Sequence, residues 1–199
     1  MPDLLPIFLN LARRRVVLVG GGRVAAAKLS ALIAAGAEVT VIAPRIRAEI
    51  RRSGANVVER PFEARDLDNV WLAIAAATPE VNAQVARAAD DRHLFVNAVD
   101  DPANASAFLG GVVRRDGVTI AISTSGDAPA LSGLLREAID AVLPRELRAW
   151  MDEARRQRVV WRRFGVPIEK RRPLLLEALN RLYERPVVPW LAAPEDSWP

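Results

Sequence analysis

Three groups of residues in this sequence combine reactive or ligand-binding types with spacings that a fold can use. The first is Gly20-x-Gly22-x-x-Ala25, which fits the pattern G-x-G-x-x-G/A. In that pattern the first small residue permits a tight turn, the second lets backbone approach a pyrophosphate, and the third lets a helix pack close to a strand. The alternative is a glycine turn of purely structural meaning. The second group is Asp100-Asp101, an acidic pair that follows the apolar run ending at Asn97. One of these carboxylates can take or steer a proton, or the pair can form a turn or cap before Pro102. Asn97 is open in the same way, between a loop hydrogen bond and a ligand contact. The third group is Thr124-Ser125-Gly126, just ahead of a helical pattern. It reads either as a second anion site at a helix start or as a capping loop.

The elements that must position these groups follow from periodicity. Residues 3–12 (DLLPIFLNLA), apolar and broken by Pro6, read as a short lead-in packing on the first strand. Val16–Val19 is a β-branched apolar run, and an Ala-rich segment with Val24, Leu29, Leu32 and Ile33 at helical spacing follows the glycines. Gly36 stands where a C-cap glycine belongs, and Val39–Ile42 is a second strand. That is one βαβ unit in about thirty residues. Residues 46–53 suggest a short helix and 56–59 a third strand. Residues 70–77 (VWLAIAAA) make a strand that is apolar throughout, as one covered on both faces must be. Thr78-Pro79 opens a helix, Thr as N-cap and Pro at the first position. Residues 94–97 form a fifth strand. The alternation predicts an α/β fold, a Rossmann-like parallel sheet.

After that the pattern changes. Residues 107–114 and 118–123 are apolar runs around Arg115-Asp116-Gly117, a hairpin signal. Residues 130–143 repeat apolar positions as an amphipathic helix. A hairpin and one helix are too little to fold alone, which points to docking on the first domain and a second copy of the chain. Residues 145–164 and 169–183 form a helical, basic segment, followed by a Pro-rich tail. The expected organisation is a nucleotide-binding domain at 1–113, a small α+β dimerisation region at 114–144, and a helical C-terminal segment at 145–199.

In an open α/β sheet, ligands bind beyond the C-terminal ends of the strands. Gly20, Gly22 and Arg23 lie there after the first strand, Ala43, Pro44 and Arg45 after the second, and Thr78 after the fourth. The ribose-binding acid that often ends the second strand is absent. Arg45 either favours a 2′-phosphate or is simply solvated.

Composition removes other chemistries. The chain has no cysteine and a single histidine, His93. Disulfides, thiolate nucleophiles, Cys or His metal clusters and a Ser–His–Asp set are excluded, and no metal site is expected. His93 precedes the fifth strand at the opposite sheet edge and reads as structural. The N-terminus has no basic stretch before its apolar part, and no apolar run reaches the ~18 residues of a membrane span. A soluble, cytoplasmic protein without membrane contact is expected. Residues 145–185 carry 12 basic and 6 acidic residues, whereas 1–144 are balanced at 16 each, and 26 of the 28 basic residues are arginine. That segment is either a solvated helix face or a rim that attracts a polycarboxylate. Sparse aromatics and the lack of a recognition-helix signal argue against nucleic acid.

The order of LPIFLNL, VVLVGGGRVAAAK, GAEVTVIAP, VWLAIAAAT, FVNAVDDP and IAISTSGDAPALSGLLREAIDAVLP resembles the N-terminal module of siroheme synthases, the precorrin-2 dehydrogenase and sirohydrochlorin ferrochelatase family. The resemblance runs to about Pro144. It implies NAD-dependent oxidation of precorrin-2 to sirohydrochlorin, in some members also ferrous iron insertion, and a homodimer intertwined through residues 114–144. It places the family's catalytic aspartate at Asp100, and its nucleotide contacts at Gly22, Arg23, Val24, Ala43, Pro44 and Arg45. It also implies NAD in spite of the missing acid. Two departures fall on the expected tetrapyrrole side: Phe108-Leu109-Gly110-Gly111, without the proline of the family's F-x-x-P-A, and Ala128 where its loop has a second serine.

Overall fold

The structure is a computed structural model that describes residues 3–183, so the Pro-rich tail lies outside the described residues. Five parallel strands make the main sheet: β1 (Arg15–Val19), β2 (Glu38–Ile42), β3 (Asn56–Val58), β4 (Leu72–Ala75) and β5 (Val96–Ala98). Their order is β3-β2-β1-β4-β5. Helices α1 (Arg23–Ala34), α2 (Ala48–Arg51) and α3 (Pro79–Asp90) connect them. A two-stranded sheet follows, β6 (Gly111–Arg115) and β7 (Val118–Ile122). Three helices complete the described chain: α4 (Pro129–Val142), α5 (Leu147–Arg163) and α6 (Ile168–Asn180).

The all-apolar central strands follow from cover on both faces. Val16 and Leu18 of β1 pack with Ala25, Leu29 and Leu32 of α1. Their neighbours Val17 and Val19 pack on the other face with Val85, Ala88 and Ala89 of α3. The helices that follow β1 and β4 therefore lie on opposite faces, and β1 and β4 are adjacent. This is the switch point of the sheet, where the strand ends diverge into a crevice. Gly36 ends α1 as expected, with φ +76 and its N–H donating to Ile33 O at 2.8 Å.

By contact, the chain forms two compact units. The first comprises residues 1–111 and 121–136, and the second residues 112–120 and those from 137 onward. In the second, the hairpin tip is an Asp116-Gly117 turn with both residues at positive φ. Arg115 pairs with Asp140 at 2.6 Å and donates to Leu143 O at 3.1 Å. Leu147, Trp161 and Ala178 are buried in the α5–α6 pair, and Trp150 Nε1 donates to the Tyr183 hydroxyl at 2.8 Å.

Three local expectations are corrected. The short helix of residues 46–53 is only Ala48–Arg51. The first hairpin strand starts at Gly111 rather than at 107. Residues 106–107 instead lie against β5, where Ser106 and Ala107 both donate their N–H to Val96 O at 2.9 Å. The lead-in at 3–12 reaches the core only through Leu11, while Leu5 and Phe8 stay exposed.

One ion pair braces the connection between β3 and β4. The Asp66 side chain is only 9% exposed. It accepts Arg60 Nη1 and the Glu63 backbone N–H, each at 2.8 Å. The hydrogen bonds from the Arg60 guanidinium are the main cause that holds the Asp66 carboxyl below the usual carboxylate range, against the opposing effect of burial. Its stabilisation is therefore complete above the unfolded-state value of about 4 and is lost as pH falls through the lower folded value. Asp66→Asn is expected to cost about 2 kcal/mol at pH 7. In urea titrations the gap to the wild type should close as pH drops below about 4. A gap that stays constant down to pH 2 would remove the ion pair as the cause.

Candidate active site

The glycine turn between β1 and α1 is shaped by close backbone contacts on one side and open space on the other. Gly20 has φ +128, and a Cβ there would collide with the Ala76 carbonyl at the end of β4. A Cβ on Gly21 would collide with the Arg45 carbonyl that follows β2. The ends of β1, β2 and β4 thus converge on one turn, because only glycines allow those carbonyls so close. Gly22 differs: a Cβ there would meet no atom within 4 Å. It is the N-cap of α1, in extended conformation with no side-chain cap, so the first N–H groups of α1 face an approach that protein atoms leave clear. Ala25, the third small residue, is fully buried against the sheet. Each position has the surroundings that its dinucleotide role requires, and the turn fits an anionic pyrophosphate at a helix start.

Around this turn, Arg23 and Val24 open α1 and are exposed. Ala43 is buried and donates its N–H to Val58 O at 3.2 Å, while Pro44 and Arg45 are exposed. Thr78 stands at the N-cap of α3 as expected, but its hydroxyl makes no cap bond. It bonds instead to the Glu80 carboxylate. That carboxylate is held below its ordinary range, first by its own backbone N–H and then by the Thr78 hydroxyl. Asn82, 3% exposed, ties the helix to the end of the preceding strand: its Oδ1 accepts the Ala77 N–H at 3.1 Å. Sequence reasoning missed Asn82; a polar residue at a buried helix position was its only signal.

At the end of β5 the two aspartates separate in role. Val99 still pairs, its N–H donating to Ala75 O at 2.9 Å. Asp100 then turns at φ +55, a conformation that Asp tolerates better than most side chains. It is exposed and makes no hydrogen bond or ion pair among the described residues. Asp101 is engaged: its Oδ2 accepts Asn104 Nδ2 at 2.8 Å.

Asn97 lies on β5 just before this turn and is 6% exposed. Its Nδ2 donates to Ala107 O at 2.9 Å. Its Oδ1 is buried without a partner, alone in this respect among the described residues. A buried acceptor left unpaired costs about 1–3 kcal/mol, and Asn97 holds such an acceptor on β5, three residues before Asp100.

The third group is brought to the same place. A Cβ on Gly126 would lie 3.2 Å from Pro102 Cγ and 3.5 Å from a Phe108 ring carbon. Ser125 (φ +55) and Gly126 (φ +87) are both left-handed, which bends the loop back on itself. The Thr124 hydroxyl accepts the Ala128 N–H at 3.3 Å, and Ser123 Oγ accepts the Ser125 N–H at 3.1 Å. The Gly110-Gly111 departure has a steric reason. A side chain on Gly110 would collide with the Ile122 carbonyl, and one on Gly111 would crowd Ser132. Ser132 Oγ, buried, accepts the Gly111 N–H and donates to Ile122 O, each at 3.1 Å. His93 has φ +53 in the turn after α3, at the N-terminal end of β5 and away from these groups.

With this geometry in place, the comparisons with known proteins can be read. Residues 7–111, just over half of the chain, match the family model described as "Putative NAD(P)-binding". The chain belongs to this NAD(P)-binding family. The matched region of the NAD(P)-binding chain contains the glycine turn, Asn97 and Asp100. A siroheme synthase of Cronobacter sakazakii is 43% identical over 150 residues, which is 73% of this chain and 33% of that relative. One of Azotobacter vinelandii is 39% identical over 175 residues, 85% of this chain and 38% of that relative. The chain therefore spans about a third of the length of the curated relatives it matches. A solved precorrin-2 dehydrogenase shares the fold, with a TM-score of 0.71 at 24% identity, over 90% of this chain and 92% of that one. The likeness to the siroheme synthase N-terminal module drawn from the motifs is matched by these relatives. Among the described residues no helix is long and apolar enough to cross a membrane.

Proposed function

We propose that the chain catalyses the NAD-dependent dehydrogenation of precorrin-2 to sirohydrochlorin. One observation carries the reading. At the end of β5 an exposed carboxylate without a partner among the described residues, Asp100, follows three residues after a buried unpaired acceptor, Asn97 Oδ1, in a sheet whose β1 end carries a dinucleotide turn. The siroheme synthase relatives and the precorrin-2 dehydrogenase neighbour support the choice of substrate.

Bound NAD supplies a two-electron acceptor for the hydride lost by the macrocycle. The chain's own residues do the rest. The N–H groups after Gly22 would hold the dinucleotide's pyrophosphate, and Arg23, Val24, Ala43, Pro44 and Arg45 would complete its site. Thr78, at the N-cap of α3, would border the cofactor. Asp100 accepts the proton released as the new double bond forms, which balances the hydride and leaves the substrate oxidised by two electrons. Asn97 accepts a hydrogen bond from the substrate, and the Thr124-Ser125-Gly126 loop lines the substrate side. Ferrous iron insertion into sirohydrochlorin is a separate second step; an iron-insertion assay on the purified chain decides it independently.

The proposed assembly is a homodimer, in the cytoplasm where the dinucleotide is supplied. Leu131, Leu134, Leu135 and Val142 of α4 are 49%, 65%, 40% and 77% exposed. Their spacing places them on one stripe of the helix, and a two-fold interface would bury that stripe against its own copy. Leu134→Glu is expected to weaken self-association at least about a hundredfold, since each copy loses about 2 kcal/mol of apolar burial. Sedimentation should show a wild-type dimer and a folded monomeric variant. A wild-type monomer contradicts this assembly.

The catalytic reading is tested by mixing the purified chain with precorrin-2 and NAD. Formation of the sirohydrochlorin spectrum supports it. A folded chain that binds NAD yet leaves precorrin-2 unchanged rejects it.

A further inference from the structure

We propose that Ser106 is a positioning residue for the proton transfer, fixing the place of Asp100 by closing the base of the loop that carries it. The proposal rests on Asp100 as the proton acceptor and goes beyond it, to the group that holds that carboxylate in place.

β5 is the last strand in the order β3-β2-β1-β4-β5, so its outer edge has no neighbouring strand. Such an edge leaves backbone N–H and C=O groups in need of partners. The chain supplies them by returning after residues 99–105. Val96 donates its N–H to Ser106 Oγ at 2.9 Å, and Ser106 donates its own N–H back to Val96 O at 2.9 Å. Ala107 adds a second N–H to the same carbonyl, and Asn97 Nδ2 donates to Ala107 O, both at 2.9 Å. The loop thus rejoins the strand that it left.

Asp100 stands on this loop, exposed, and no hydrogen bond or ion pair among the described residues holds its carboxylate. Its place is set by the backbone on either side. At one end the Val99 N–H is anchored on Ala75 O at 2.9 Å, and at the other the reciprocal Val96–Ser106 pair shuts the loop. Within it, Asn104 Nδ2 donates to Asp101 Oδ2 at 2.8 Å. The Ser106 hydroxyl is the side-chain tie at this base to which the substrate reading gives no role. A shift of about 1 Å at a reacting group can cost about a hundredfold in rate. Loosening the base therefore slows the proton transfer and leaves the dinucleotide turn after β1 untouched.

Steady-state and single-turnover rates with precorrin-2 and NAD test the proposal on the wild type, Ser106→Ala, Ser106→Thr, Asp100→Asn and the double variant. Ser106→Ala removes the acceptor of the Val96 N–H. Well below its melting temperature it is expected to lower kcat at least about tenfold, with the KM for NAD within about threefold of the wild type. Ser106→Thr keeps the hydroxyl and should recover most of the rate. In the Asp100→Asn background, Ser106→Ala should cost no more than about twofold further, because a residue that acts through Asp100 then has nothing left to position. A Ser106→Ala variant that melts about 2–4 °C lower yet keeps the wild-type kcat has lost a structural bond only, and overturns the proposal. So does a loss of rate that is equal with and without the Asp100 carboxylate. In both cases a slow Asp100→Asn leaves the dehydrogenase reading standing. A wild type that binds NAD and leaves precorrin-2 unchanged removes that reading and this proposal together.

Discussion

Asp100→Asn is expected to lower turnover of precorrin-2 by about a hundred- to ten-thousandfold, the range lost when a positioned general base is removed, while dinucleotide affinity stays within about threefold of the wild type. The substitution is chosen for its backbone. Asp100 sits at φ +55, and asparagine is the other side chain that enters this region most readily. The turn after β5 is therefore kept, and what is lost is the ability to take a proton. Asp101→Asn serves as the control. Its carboxylate is engaged with Asn104, so it should affect the stability of the turn more than the chemical step. Stopped-flow rates and dinucleotide titrations on the two variants separate these outcomes. A large rate loss in Asp101→Asn with a near-normal rate in Asp100→Asn would move the proton acceptor to the neighbouring residue.

The glycine turn should show an equally sharp division between folding and binding. Gly20→Ala places a methyl group against the Ala76 carbonyl and forces a side chain onto φ +128. The ends of β1 and β4 must then part, at an expected cost of about 3 kcal/mol or more. Gly22→Ala has ordinary extended backbone and meets no protein atom within 4 Å. Its thermal midpoint should stay within a degree or two of the wild type. Its dinucleotide affinity should nevertheless fall by about thirtyfold or more, about 2 kcal/mol, because the added methyl stands where backbone must approach the pyrophosphate. Calorimetric melts and titrations measure both. Normal dinucleotide affinity in a folded Gly22→Ala variant would make this glycine a structural residue only.

The nucleotide-binding half was legible in the sequence because its signals are local. Val16–Val19 alternates between two helix-covered faces, so every residue is apolar, and Gly20, Gly22 and Ala25 follow within one turn. Asp100 was legible as one of a pair. The distinction from Asp101 was not, since it depends on Asn104 and on a backbone angle that spacing does not encode. The polar residues that matter most in the fold were the least visible. Asn82 reaches back five residues to Ala77, Asn97 ten forward to Ala107, and Ser132 bridges Gly111 and Ile122. Such bonds join segments that only the fold brings together. The same holds for residues 107–110, whose apolar character suggested a strand, although the chain uses residues 106–107 to cover β5 and Gly110 to let the Ile122 carbonyl pass. The lead-in at 3–12 shows the opposite case. Its apolar residues suggested packing on the first strand, yet within a single chain the structure buries only Leu11 among them.

The most direct measurement is anaerobic turnover of precorrin-2 by the purified chain with NAD. The reduced dinucleotide and the sirohydrochlorin spectrum should be followed together, for the wild type and for Asp100→Asn. Equal molar formation of reduced dinucleotide and sirohydrochlorin by the wild type, with both reduced at least a hundredfold in the variant, is the predicted result. A wild-type chain that binds NAD and forms neither product, or an Asp100→Asn variant that forms both at the wild-type rate, would contradict the account.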